Sequence, residues 1–204
     1  MNVGQTTARV HEALRRRIVM HEIRPGARID PSEIASEFGM SVTPPRDALH
    51  MLVGEGLAEI RHGEGFFVPE IDEQGLKDLY DWNLDLILAA WRRGKPTPGT
   101  FPSLVGDPIT QTEAFFGAIA RSSGSRLHVL AMRWANARLG AARRVEANGL
   151  FDATEELAAI AAALSSGDSA AARRLVADYH NRRKSMAMRI VDGLYGSAGT
   201  NSRL

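Results

Sequence analysis

Residues 25–68 constrain the fold more than any other part of this chain. The stretch opens Pro25-Gly26-Ala27-Arg28-Ile29 and closes Gly63-Glu64-Gly65-Phe66-Phe67-Val68. Pro25-Gly26 forces a turn. Asp30 or Ser32 can then cap a helix with Ile34, Ala35 and Phe38 inward and Gly39 at its end. Ser41 stands where a cap for the next helix is expected. Pro44 and Pro45 fall in that helix's first turn, where missing N–H donors cost little. Ala48, Leu49 and Leu52 share its inner face as far as Val53, and Gly54 and Gly56 stop it. Short strands are expected over 58–61 and 66–69, with Gly63 and Gly65 at the hairpin tip. In a helix-turn-helix, the second helix lies in the DNA major groove and its N-terminal residues touch base edges. The hairpin would form a wing beside it.

The spacing elsewhere predicts helices. One starts at Thr6 or Thr7 after a loose 1–5 segment, with Val10, Ala13, Leu14 and Ile18 inward and Arg15, Arg16 and Arg17 around the exposed side. Beyond Glu70, Leu76, Leu79, Leu86, Ile87 and Ala90 form an apolar stripe interrupted by Asn83. Gly94, Pro96, Pro98, Gly99 and Pro102 break any helix through 94–108. Further helices are expected near 109–122, 126–147, 153–165 and 168–193, and 196–204 reads as a flexible tail. The fold class is therefore mainly α. A winged helix-turn-helix is expected over 6–70 and an all-helical bundle over 71–195.

Composition narrows the function classes. There are no cysteines, which removes disulfides, thiolate metal sites and cysteine nucleophiles together. No run of about 18 apolar residues is present, so no membrane span is expected. No secretory signal segment is visible. A cytoplasmic protein is expected. Residues 1–70 carry 8 arginines and no lysine against 10 acidic residues, a net charge of −2, while the remainder is +3. Phosphate neutralisation supplies most non-specific DNA affinity, so any basic footprint must be local. No nucleophile–base pair, phosphate loop or metal spacing is evident. A small helical enzyme relying on His128 or His180 is the most distant alternative.

On the second helix, Thr43, Arg46, Asp47 and His50 point away from the apolar face. Arg46 and His50 are i,i+4 neighbours and share a side. Arginine can bind guanine bidentately. His62 and Gly63 belong at the wing tip. The expected DNA-contacting set is Ser32, Ser41, Thr43, Arg46, His50, His62 and Gly63.

In combination, Pro25-Gly26, Glu33-Ile34-Ala35, Ser41-Val42-Thr43-Pro44-Pro45-Arg46-Asp47-Ala48-Leu49, Gly56-Leu57 and Gly63-Glu64-Gly65 resemble the winged helix-turn-helix of GntR-type bacterial transcription regulators. The resemblance covers roughly residues 6 to 70. Two positions where that family carries DNA-contacting arginines hold Ser32 and Val42 here. A different operator, reliance on dimer avidity, or phosphate contacts from Arg9 and Arg15–Arg17 would each accommodate the change.

The helical remainder resembles, in shortened form, the FCD-type effector domain of the FadR branch of that family. Such domains sense a small molecule, usually a carboxylate, and often hold a divalent metal. With Gly167-Asp168 as anchor, the ligand positions fall on Thr112, Phe116, Leu157 and Tyr179, with His180 one residue off register. These side chains do not make a divalent site, since zinc takes imidazole, thiolate or carboxylate. No metal or other cofactor is expected.

The expected effector pocket comprises Asn83, Thr112, Phe116, Arg133, Leu157, Tyr179 and His180. Arg133 and Arg138 could meet an acid anion or stay solvated. Asn83 could contact an effector or make a structural hydrogen bond. Trp82, Trp91 and Trp134 read as core or interface residues. The resemblance implies a homodimeric regulator of double-stranded DNA, a bacterial repressor or activator, that reads a palindrome. A small organic acid or apolar effector would control it. The alternative is a DNA-binding regulator whose C-terminal domain only dimerises.

Overall fold

The computed structural model describes residues 3–94, 96, 101–102 and 104–196. Pro98 and Gly99 of the expected irregular loop, and the expected tail from 197 onward, lie outside these. The chain forms two compact units. One is residues 1–71 together with 194–204, and the other is 72–193.

The first unit begins with α1 (Val3–Val19), which runs straight through the expected starts at Thr6 and Thr7. Val10, Leu14 and Ile18 are buried as its spacing predicted. A two-residue strand, β1 (Arg28–Ile29), follows the Pro25-Gly26 turn. It leads into α2 (Pro31–Phe38). Asp30, not Ser32, caps α2, accepting from the Ser32 N–H at 2.7 Å. Gly39 ends it in the left-handed conformation, φ 62°, which only glycine adopts without strain.

Next comes α3 (Thr43–Gly54), preceded by Val42 with no side-chain cap. The expected cap at Ser41 does not form. The helix starts one residue later than that cap would require, with Val42 in the cap position, and a side chain there would find only Pro44 and Pro45, which lack the N–H groups a cap accepts from. Strands β2 (Glu59–Arg61) and β3 (Gly65–Phe67) complete a three-stranded sheet in the order β1-β3-β2. Both pairings are antiparallel, with Arg28 opposite Phe67 and Arg61 opposite Gly65. Helix α1 packs on α3, and Leu14, Leu49 and Leu52 have no exposed surface. Each such buried side chain contributes about 2 kcal/mol.

The second unit holds α4 (Glu73–Arg93), α5 (Pro108–Ser122), α6 (Arg126–Glu146), α7 (Ala153–Ser165) and α8 (Ser169–Ser185). Their N-termini are capped by Asp72, Asp107, Ser125, Asp152 and Asp168, each accepting from a backbone N–H. An aspartate there meets the positive end of the helix dipole as well. After α4, Gly94 passes so close to α5 that an added Cβ would lie 2.1 Å from the Ser122 carbonyl oxygen.

The single helix expected over 168–193 is two. Met186 leaves helical geometry, and α9 (Ala187–Tyr195) starts after it. Neither proline nor glycine marks this break. Residues 187–193 of α9 group with the bundle, whereas Leu194 and Tyr195 group with the winged unit. There the Ile71 N–H donates to the Tyr195 hydroxyl at 3.0 Å.

Ile87, Phe115, Phe116, Ile119, Leu157, Ile160, Val176 and Tyr179 form the bundle core. Charge is buried beside it. Arg183 on α8 is fully buried, and its Nε and Nη2 donate to Glu146 and Glu156, each at 2.6 Å. The Tyr80 hydroxyl donates to the other Glu146 oxygen. The guanidinium also lies 3.4 Å from the Tyr179 ring centroid. Burial works against the Arg183 charge, but Tyr179, Glu146 and Glu156 outweigh it, so its pKa is raised. Removing one partner of a buried ion pair costs about 3–5 kcal/mol. Glu146→Ala should therefore lower the urea midpoint of the bundle by a corresponding amount, whereas Asp168→Ala should cost only about 1 kcal/mol.

Candidate functional site

The solvent side of α3 presents Thr43, Arg46, Asp47 and His50, all exposed. The opposite side, Pro44, Pro45, Ala48, Leu49 and Leu52, is buried, so helical periodicity alone sets what the row offers. His50 is held against the wing, its ring edge-to-face with Phe66 at 5.1 Å between centroids. Ser32 and Ser41 are exposed on the adjoining segments, and His62 and Gly63 are exposed at the hairpin tip. Gly63 has φ 77°, as a tight hairpin turn requires.

The basic residues divide into tied and untied. Arg15 is 3.8 Å from Glu55, Arg16 is 3.8 Å from Glu22, and Arg17 pairs with Glu37. Arg61 pairs with Glu59 and Glu70 and stacks 4.4 Å from the Phe67 ring centroid. The expected phosphate contacts from Arg15–Arg17 thus compete with internal acids. Among the described residues Arg46 has no ion pair.

Sequence spacing missed Arg28. The β1–β3 pairing brings its guanidinium over the wing, so that a Cβ on Gly65 would lie 3.9 Å from Arg28 Nε. Arg28 itself is exposed. A two-residue strand carries too little alternation to be seen in advance.

In the bundle, Asn83, Thr112, Phe116, Leu157, Tyr179 and His180 are all buried. Arg133 is not among them: it is exposed on α6, as is Arg138. The arginine that α6 turns inward is Arg143, 4% exposed. The inward face of α6 is rich in small residues, among them Ala135, Gly140 and Ala142, so a simple apolar stripe does not single out position 143.

Phe116 is the hub of this interior. Its ring centroid lies 5.4 Å from that of Tyr179, 5.8 Å from that of His180 and 5.7 Å from the Arg143 guanidinium carbon. His180 Nδ1 is 2.8 Å from the Val176 carbonyl and Nε2 is 3.0 Å from Asn83 Oδ1. Burial first, and then nearby Arg143, Arg183 and Lys184, push the His180 pKa down to about 3, so the ring is neutral. A neutral imidazole has one N–H, and a carbonyl only accepts, so that proton sits on Nδ1. The Nε2 lone pair then faces Asn83, whose Nδ2 donates to Met132 Sδ at 3.3 Å; exchanging the two ends of the carboxamide would turn that N–H to His180 instead.

Thr112 spends its hydroxyl proton on the Pro108 carbonyl at 2.8 Å. Thr112, Phe116, Leu157 and Tyr179 provide no carboxylate or imidazole for a divalent ion. Among the described residues no three of His, Cys, Asp and Glu group to hold one.

Residues 6–68 match the family model of bacterial regulatory proteins, gntR family. The HTH-type transcriptional regulator McbR of Escherichia coli (strain K12) is 31% identical over 84 residues, 41% of this chain and 38% of that protein. The Nta operon transcriptional regulator of Aminobacter aminovorans is 38% identical over 63 residues, 31% of this chain and 30% of that protein. The chain thus spans 30–38% of the length of such relatives.

Two solved structures share the fold over 90% of this chain and 97% of their own. They are E. coli McbR/YncC, with TM-score 0.69 and 20% identity, and a GntR regulator from Rhodococcus sp. RHA1, with TM-score 0.71 and 21% identity. These likenesses and the geometry define a winged helix-turn-helix followed by a helical domain. Over residues 6–68 the winged unit is similar to the gntR-family domain, and the chain shares the fold of those two structures.

The depressed His180 pKa makes stability depend on pH. Unfolded, the imidazole takes a proton below its ordinary value near 6.5, while the folded protein resists doing so down to about 3. Its contribution is complete above pH 6.5 and is lost as pH falls through that window. At pH 5 the loss should be about 2 kcal/mol relative to pH 7. Chemical denaturation across this range should show the slope, and His180→Gln should flatten it.

Proposed function

We propose that the chain is a dimeric, cytoplasmic transcription regulator that reads a palindromic operator in double-stranded DNA. The bundle is an FCD-type effector domain of the FadR branch that works without a metal. A small organic acid or apolar molecule binding there would shift the balance between DNA-competent and DNA-incompetent arrangements. The observation that carries this reading is the exposed row Thr43, Arg46, Asp47 and His50 on α3, braced by Phe66 of the wing. Leu127 and Leu130, 78% and 37% exposed on α6, offer apolar surface for a second copy. No helix among the described residues is long and apolar enough to cross a membrane.

Operator binding is testable by selecting duplexes from random DNA and measuring fluorescence anisotropy. Arg46→Ala should weaken the selected site by about 5–150-fold, the equivalent of a lost bidentate guanine contact, while leaving far-UV circular dichroism unchanged. Unchanged affinity would remove Arg46 from base reading. Arg28→Ala should weaken selected and random duplexes alike, as a phosphate contact does.

One observation favours a second reading in which the bundle only dimerises. Asn83, Thr112 and His180 already satisfy one another or nearby backbone. A thermal-shift screen of carboxylates and apolar metabolites separates the two. A stabiliser that also alters operator affinity supports sensing, and a blank screen supports dimerisation alone.

A further inference from the structure

The outward residues of α3 fall at i, i+3, i+4 and i+7: Thr43, Arg46, Asp47 and His50. That spacing lines them up along one stripe of a helix, and DNA-reading helices set their base contacts along such a stripe. The four are not held alike. Among the described residues, Thr43, Arg46 and Asp47 make no side-chain hydrogen bond, ion pair or ring contact. His50 alone meets another element. Its ring stands edge-to-face with Phe66 of the wing, 5.1 Å between centroids and 79° between planes, an arrangement that aromatic pairs prefer.

Phe66 is itself fixed by the sheet. It is the middle residue of β3, the central strand, and stands opposite Ile29 of β1 and Ile60 of β2. Side chains alternate across a strand, so Phe66 turns to α3 while Phe67 stacks with Arg61 on the other face. A one-residue slip of β3 would put Gly65 or Phe67 against the helix instead. Phe66 is buried, whereas His50 stays exposed, so the brace holds the imidazole without covering it.

Ring orientation carries sequence information. A neutral imidazole has one N–H and one lone pair. The N–H suits guanine N7 or O6, and the lone pair suits the amino group of adenine or cytosine. A freely turning ring would offer either edge and lose more entropy on binding.

We propose that Phe66 is a positioning residue for base reading. It fixes the imidazole of His50 so that His50 reads one base pair at the C-terminal end of the recognition row. The wing thereby sets sequence preference at a base it does not touch. The inference rests on the operator reading above and deepens it by naming a determinant of its specificity.

The test uses the full chain and a duplex selected by it from random DNA. Every base pair of the selected site is changed in turn, and affinity is followed by fluorescence anisotropy. His50→Ala should weaken the preference at one base pair by about threefold to tenfold, the scale of one hydrogen bond. Preference at the positions lost in Arg46→Ala should persist. Phe66→Leu should weaken preference at the same base pair as His50→Ala, and Phe66→Tyr, which keeps the ring, should restore it. In the double variant, Phe66→Leu should add nothing to His50→Ala, because a residue acting through another is not additive with it. Circular dichroism and Tm report folding. His50 is exposed, so His50→Ala still decides the question where Phe66→Leu lowers Tm.

Three results would overturn the proposal. One is an unchanged preference at every base pair in His50→Ala, which leaves the operator reading standing as long as Arg46→Ala still alters the site. Another is a loss in Phe66→Leu spread evenly over the whole site, or a further loss in the double variant, either of which marks Phe66 as packing alone. The last is the absence of any selected sequence, which overturns the operator reading as well.

Discussion

The ion pairs of Arg183 are the interaction on which the helical domain depends. One guanidinium with no exposed surface joins Glu146 of α6 and Glu156 of α7 to α8, and Glu146 in turn receives the Tyr80 hydroxyl of α4. Apolar side chains can slide past one another at small cost. A buried charge cannot, because losing a partner exposes it to the full desolvation penalty. The network thus selects one register among those an alanine-rich bundle could adopt. It also makes the state of Arg143 conspicuous, since the same interior compensates one guanidinium twice and the other not at all.

The winged unit works under the opposite constraint. Its net charge is negative, and several of its arginines are bound to its own glutamates. Under the proposed function, recognition would rest on a few well-placed donors rather than on a broad basic face. Arg46 on α3 and Arg28 at the root of the wing are the candidates that proposal names, and β3 ties them together structurally. It pairs with β1, which carries Arg28, and supplies Phe66, which braces His50 on the recognition row.

The long amphipathic helices and the Gly-x-Gly hairpin were legible from spacing because burial imposes a period on them. What escaped has identifiable causes. Two residues of β1 cannot show alternation. The Ser41 cap is displaced because the helix begins at Thr43, which puts Val42 in the cap position. The break at Met186 carries no proline or glycine, and it is visible only as a departure from helical geometry. The sequence does not show the partners of Asn83, which lie on other helices: Met132 Sδ and His180 Nε2.

The arginines show the limit most directly. Arg133, Arg138 and Arg143 lie on one helix with similar neighbours in sequence, yet only Arg143 is buried. Local sequence determined the order of the long helices and the hairpin, the row of polar side chains on α3 and the absence of metal-binding side-chain types at Thr112, Phe116, Leu157 and Tyr179. These follow from backbone stereochemistry and side-chain chemistry, which act within a few residues. Only tertiary structure decided which charges lie inside and what balances them. Desolvation and Coulomb energy depend on groups far apart in the chain, as when Arg183 meets a glutamate 37 positions away.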